Sequence, residues 1–285
     1  MTLALIEKTL EELITPPKGP YQLVFEAARY SLLSSGKRIR PLLTIATAEA
    51  FGSPLQKALL PACSVELIHT YSLIHDDLPC MDDDDLRRGK PTLHKIYPEG
   101  QAVLAGDLLL TLAFETLSRS PHLTDKQILE MIRLLAKQSG GEGMVGGQSL
   151  DLLSEGQDIS WDTLKKIHLG KTASLLSASL EIGGIAANVS PLIRQKLFEL
   201  GGKIGLSFQI IDDVLDLEGD AGLIGKPLLS DIANKKNTSV SLLGLSPAKA
   251  LSQELLHSAL DQCQEMGIEH SNLAKMLPKL VHRFF

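Results

Sequence analysis

Six aspartates fall within ten positions, at Asp76, Asp77 and Asp82 to Asp85, in a stretch that reads IHDDLPCMDDDDLRRGKPTLH from Ile74 to His94. Like charges this close repel, so water or cations must offset them. A second cluster, Asp212, Asp213 and Asp216, sits in the otherwise apolar run GKIGLSFQIIDDVLDL. With Gln209 these residues recur at spacings of three and four, which places them on one helix face. Carboxylates on a buried helix are costly unless cations pair with them. The donors are all oxygens, no His or Cys clusters with them, and they need not enclose an ion, a set that suits Mg2+. Mg2+ bound this way keeps waters and takes phosphate oxygens as its other ligands. The two clusters together point to a diphosphate bridged by Mg2+ between two helices. The bland alternative is a solvated acidic loop, and Asp83 to Asp85 read partly as that. The alternation of a calcium-binding EF-hand loop is absent.

The chain is acidic, with a net charge of −6, so a general nucleic-acid footprint is not expected. Its basic residues are nonetheless grouped. SSGKRIRP, Ser34 to Pro41, holds Lys37, Arg38 and Arg40, and Arg87 and Arg88 follow the aspartates. His69 lies seven residues before Asp76, two helical turns back on the same face. Lys171 and Thr172 fall in IHLGKTASLLSASL, where a lysine among small apolar residues needs an anion or a route to water. Lys226 and Lys236 follow the second aspartate cluster. A single basic turn is usually surface, and a lone core histidine is usually structural. Taken together, these cations suffice for two diphosphates, one metal-bridged and one held by basic side chains alone.

The elements that must carry these residues read as helices almost throughout. Periodic runs cover 3–13, 21–34, 42–51, 55–78 (with Pro61 a kink or restart), 101–117 and 125–138. A glycine-rich stretch, SGGEGMVGGQSLDL, then interrupts. One long helix over 161–187 and another over 191–218 follow, then a loop over 219–237 and two shorter helices. Thr124 and Ser160 are N-cap candidates, and Pro191 suits the first helical position behind Ser190. No alternating strand pattern and no Asn-Gly hairpin are found. Helices too apolar all round for a surface belong inside a bundle. The expectation is one all-α domain, 1–285, of about ten helices. Cys63, Cys80 and Cys263 are too few and too scattered for a disulfide framework, which favours a reducing compartment. The first residues lack the pattern of a signal peptide, and no apolar run reaches the roughly 18 residues of a membrane span. A cytoplasmic protein is expected.

At this point the motifs resemble a family. DDLPCMDDDDLRRGKP, GKRIRP, GGQSLDL, GKTASLL and FQIIDDVLD look like the signatures of the trans-prenyltransferases, the short-chain isoprenyl diphosphate synthases, in the family's order over nearly the whole chain. The resemblance implies helices around a central cavity, a homodimer, and Mg2+-dependent 1′-4 condensation of isopentenyl diphosphate with an allylic diphosphate. It implies that Lys37, Arg40, His69 and Arg88 bind isopentenyl diphosphate. Arg87, Lys171, Lys226 and Lys236 would hold the allylic diphosphate, with Thr172 and Gln209 facing the reacting allyl group. Asp76 and Asp82 would bind two Mg2+ ions and Asp212 a third, with Asp77, Asp213 and Asp216 in support. Tyr71 and Ser72, five and four residues before Asp76, would form the floor of the elongation cavity. An aromatic there, with the Pro79-Cys80 insertion, resembles bacterial farnesyl diphosphate synthases. Plant-type geranylgeranyl synthases tend to carry Met, and plain core packing is the other account of Tyr71. PLLSD after Lys226 and NTSV after Lys236 depart from the family's pattern. A terpene cyclase of the same fold would not need Lys37, Arg40, His69 and Arg88 together. A non-catalytic subunit would be expected to lose an aspartate cluster, and nothing suggests the positioned water of a diphosphate hydrolase.

Overall fold

The computed structural model describes residues 2–218 and 237–282. Its helices are α1 (Thr2–Leu13), α2 (Gln22–Leu32), α3 (Ile39–Ala50), α4 (Leu55–Asp76), α5 (Leu93–Ile96), α6 (Glu99–Ser118), α7 (Asp125–Ser139), α8 (Met144–Leu153), α9 (Trp161–His168), α10 (Ser174–Ala186), α11 (Pro191–Glu218), α12 (Ser239–Leu243), α13 (Leu245–Glu265) and α14 (Asn272–Val281). The all-α expectation holds. The long apolar runs became the inner helices: α4 packs against α3, α6 and α10, and α10 packs against α11. One core cluster includes Leu67 and Ile68 of α4 with Leu109 and Leu117 of α6. Another joins Leu180 of α10, Leu200 and Ile204 of α11, and the C-terminal helices.

The caps read from the sequence form. Thr124 accepts the Gln127 N–H in a capping box, and Ser160 accepts the Thr163 N–H. Pro61 sits inside α4 without ending it. Four elements differ from expectation. The helix expected over 161–187 contains a π-helical turn, Leu169–Ala173, between α9 and α10. The glycine-rich interruption contains α8, because its glycines allow helix contact rather than looseness. The acidic loop contains a two-residue hairpin, Leu86–Arg87 with Lys90–Pro91, too short to show an alternating pattern. Arg88 and Gly89 turn it with φ of 54° and 76°, the two positive values that a type I′ hairpin turn requires. Finally, the chain ends in α13, 21 residues long, with the shorter α12 and α14 on either side.

Among the described residues one helix, α6, is long and apolar enough to cross a membrane, against the expectation of none. Its composition has a reason within the fold. Ala102, Ala105, Leu109 and Ala113 are buried in the core, while Glu99, Asp107 and Glu115 keep charge along its length.

Candidate active site

The first aspartate arm begins where α4 ends. Asp76 is the last residue of the helix and Asp77 its C-cap, at the negative end of the macrodipole. The loop then folds back, and the Asp82 N–H donates to the Asp76 carbonyl at 2.9 Å. This contact sets the two residues side by side across the Pro79-Cys80 insertion. The Asp76 carboxyl is pushed up to about 6, chiefly by burial; Asp82 and Asp77 add to this, while Lys171 and Arg87 oppose it. Asp77 is buried, and Arg87 Nε donates to both its oxygens at 2.7 and 2.9 Å. Asp84 lies 3.5 Å from the same guanidinium. Asp83 and Asp85 are the solvated part of the run, and Asp85 pairs with Lys95 at 2.6 Å.

The second arm lies on α11. Asp213 and Asp216 are buried there. One oxygen of Asp213 accepts both the backbone N–H of Ser239, at 2.7 Å, and the Ser239 hydroxyl. His168 of α9 lies 3.5 Å from that oxygen. Asp213 therefore ties α11 to the start of α12.

The π turn connects the two arms. Lys171 Nζ donates to Asp151 of α8 at 2.6 Å. Burial alone would lower this ammonium, but Asp151, Asp76 and Asp82 outweigh it and hold Lys171 above its ordinary value. The next residue, Thr172, donates through Oγ1 to Gln209 Oε1 at 3.0 Å. Neighbouring residues of one turn thus face the first arm and a residue one helical turn before Asp212. Glycines make the placement possible. A Cβ on Gly147 of α8 would lie 2.1 Å from the Lys171 backbone nitrogen, and one on Gly205 of α11 would lie 2.4 Å from the Ala173 Cβ. Asp151 was inside the GGQSLDL motif but carried no role in the sequence reading. Its signal is the four-residue spacing from Gly147, which places it one turn further along the same face.

The basic residues divide into two kinds. Arg38 is buried and structural: it bonds Glu7 at 2.8 Å, Glu66 at 3.0 Å and the Leu32 carbonyl at 2.7 Å. Arg40 is held at about 10, mainly by burial and also by Arg88, with Glu66 opposing. Its Nε is buried with no partner among the described residues. His69 is held well below its usual value by burial and by Arg40, Arg88, Arg87 and Arg38. Arg88 donates to the Ser35 carbonyl at 3.1 Å and passes so close to Gly36 that a Cβ there would lie 2.4 Å from its Nη1. His69, Arg87 and Arg88 line one cleft with Glu66. The structure thus brings Arg40, His69, Arg87 and Arg88 together, an arrangement that favours a bound polyanion. Lys37 is exposed beside them. Lys226 and Lys236 lie outside the described residues.

Below Asp76 a cavity of about 400 Å³ opens between α4 and α8. Tyr71, Ser72, Met144 and Leu152 line it, and Asp76 and Lys171 stand at its ionic end. Tyr71 is 7% exposed and stacks edge-on against His75, with ring centroids 5.7 Å apart. Burial first and Asp76 second push its phenol up to about 12. Ser72 donates its hydroxyl to the His69 carbonyl at 2.9 Å. His75, unassigned from the sequence, reaches the Val103 carbonyl of α6 at 3.0 Å through a notch that Gly106 leaves open.

Mg2+ fits the residues present. Asp76 and Asp82 are adjacent oxygen donors, and burial and mutual repulsion leave Asp76 ready to gain from a cation. Among the described residues no three His, Cys, Asp or Glu side chains form a ready cage, so further ligands would come from water and phosphate.

The chain matches a family model described as polyprenyl synthetase over residues 21–275. It is similar to a farnesyl diphosphate synthase of Haemophilus influenzae, 46% identical over 248 residues, covering 86% of this chain and 84% of that protein. It is also 46% identical over 261 residues to a chloroplastic geranylgeranyl pyrophosphate synthase of Capsicum annuum, covering 91% of this chain and 70% of that one. Among solved structures, a Helicobacter pylori geranyltransferase in complex with magnesium and isoprenyl diphosphate superposes with a TM-score of 0.85 at 35% identity, covering all of this chain and 95% of that chain. With the family model matching residues 21–275 and relatives 46% identical over most of its length, the chain belongs to the polyprenyl synthetase family.

Proposed function

We propose that the protein condenses isopentenyl diphosphate with geranyl or dimethylallyl diphosphate, 1′ to 4, and makes farnesyl diphosphate. Membership of the family makes it a prenyltransferase. The observation that carries the mechanism is the π turn, where Lys171 faces the first aspartate arm and Thr172 bonds Gln209 beside the second. A diphosphate between the arms would meet Lys171 and Arg87 as direct donors. Asp76, Asp82 and Asp212 would hold Mg2+, three ions in our reading, and Asp77, Asp213 and Asp216 would fix the side chains around them. Bound Mg2+ would neutralise charge on the leaving diphosphate. Lys171 and Arg87 share that task, so the allylic C–O bond can ionise. Thr172 and Gln209 present oxygen dipoles to the resulting cation. Lys37, Arg40, His69 and Arg88 would hold isopentenyl diphosphate so that its double bond attacks C1. His69 would aid this as a hydrogen-bond partner. The proton then lost would pass to the released diphosphate, since no side chain stands out as a dedicated base.

Tyr71 supports the C15 product. A buried phenol in the cavity wall stops a growing chain more firmly than a flexible thioether would. The alternative, a geranylgeranyl product, has the plant relative in its favour. Incubation with isopentenyl diphosphate, each allylic primer and Mg2+, followed by sizing of the products, decides both points. A mainly C15 product is expected, and Tyr71→Ala should shift it to C20 or longer. No condensation product would sink the reaction class, and a mainly C20 product would sink the chain length. We also expect a homodimer, which sedimentation would check.

A further inference from the structure

Helix α8 turns one stripe toward the cavity: Met144, Gln148 and Leu152, each four residues from the next. The outer two are apolar, as a hydrocarbon cavity requires. The middle one is an amide. Gln148 is 9% exposed, and neither its Nε2 nor its Oε1 has a hydrogen-bond partner among the described residues. An unsatisfied buried amide opposes folding, whereas an apolar side chain of similar shape would not. Its neighbours explain where it points. Gly147 presses against the Lys171 backbone, and Asp151, three residues on from Gln148, holds the Lys171 ammonium. Gln148 therefore enters the cavity at its ionic end, beside Asp76 and Lys171.

We propose that Gln148 faces the diphosphate end of the allylic chain and that its carbonyl oxygen stabilises the positive charge developing over C1 to C3 as the C1–O bond breaks. This rests on the condensation reading above. The bonding pair leaves with the diphosphate, and Gln148 forms no bond itself. An amide oxygen is a weak nucleophile, so it offers a dipole without trapping the cation. Because no internal hydrogen bond occupies it, none has to break when substrate arrives.

The test compares wild type, Gln148→Met and Gln148→Glu in steady-state kinetics with geranyl and isopentenyl diphosphates at fixed Mg2+, alongside thermal unfolding. Met keeps the shape and removes the dipole, and Glu keeps an acceptor oxygen. The expected result is an unchanged or higher Tm for Gln148→Met, with kcat lower by about ten- to a hundredfold and an unchanged KM for isopentenyl diphosphate. Gln148→Glu should recover part of the loss. Wild-type kcat in Gln148→Met would overturn the proposal, as would equal losses in both variants accompanied by a lower Tm. A wild-type protein that forms no condensation product would instead sink the reaction class.

Discussion

Lys37, Arg38 and Arg40 share one six-residue motif, yet they do different work. Arg38 turns inward to satisfy Glu7 and Glu66, while Arg40 remains poorly satisfied beside His69 and Arg88. Residue types showed that cations were present, but not which of them the protein itself would use. Glu66, to which the sequence assigns no role, supplies counter-charge to buried Arg38 and to Arg40 beside it. His69 carries a measurable consequence. Burial and its arginine neighbours depress its folded-state value, so below about pH 6.5 the unfolded chain binds a proton that the folded chain refuses. Stability from this source is intact above that pH and falls as the solution is acidified. His69→Gln should flatten the stability profile between about pH 5 and 6.5, as read by urea unfolding across that range; an unchanged slope would remove His69 as its cause.

At the level of elements, helix existence was legible because core helices repeat apolar residues every three or four positions. Both aspartate arms were legible because charge inside such runs is conspicuous. The π turn was not, since GKTASLL has the same apolar periodicity whether its hydrogen bonds close at four residues or five. Nor was α8, because the glycines of SGGEGMVGGQSLDL interrupt the helical pattern in the sequence, while in the fold they permit close contact. Backbone strain was equally invisible: of the four non-glycine residues at positive φ among those described, Arg38, Asp83 and Arg88 flank the site. Such conformations persist where the surroundings over-determine them. The glycine contacts give a direct test. Gly147→Ala should push α8 off the π turn, costing about 1–3 kcal/mol of stability and lowering kcat while leaving the Lys171 side chain intact. Chemical denaturation and steady-state kinetics would show both losses, and a fully active, equally stable variant would contradict the contact.

Across the whole molecule, the basic cleft adjoins the first aspartate arm, and Arg87 and Asp77 join the two. An acidic chain gathers its cations in one place and its crowded carboxylates beside them, so metal and diphosphate should stabilise it only in combination. Mg2+ with a non-hydrolysable bisphosphonate should raise Tm, by the equivalent of about 2.7 kcal/mol at a hundred times Kd. Either one alone should do much less, and equal shifts from the bisphosphonate with and without Mg2+ would contradict the bridging role of the aspartates. The segment 219–236, with Lys226 and Lys236, falls outside the described residues, so the structure adds nothing to what the sequence said of it. The π turn has a further consequence for the chain as a written text. A turn that spends one residue more than its α-helical neighbours acts as a one-letter insertion confined to Leu169–Ala173. Removing a single residue there would let the segment close as an ordinary α-turn, with the flanking helices left in place and the turn's own side chains aimed in new directions. Lys171 and Thr172 could then no longer serve the two arms at once, although every charged residue of the site would still be present in the sequence.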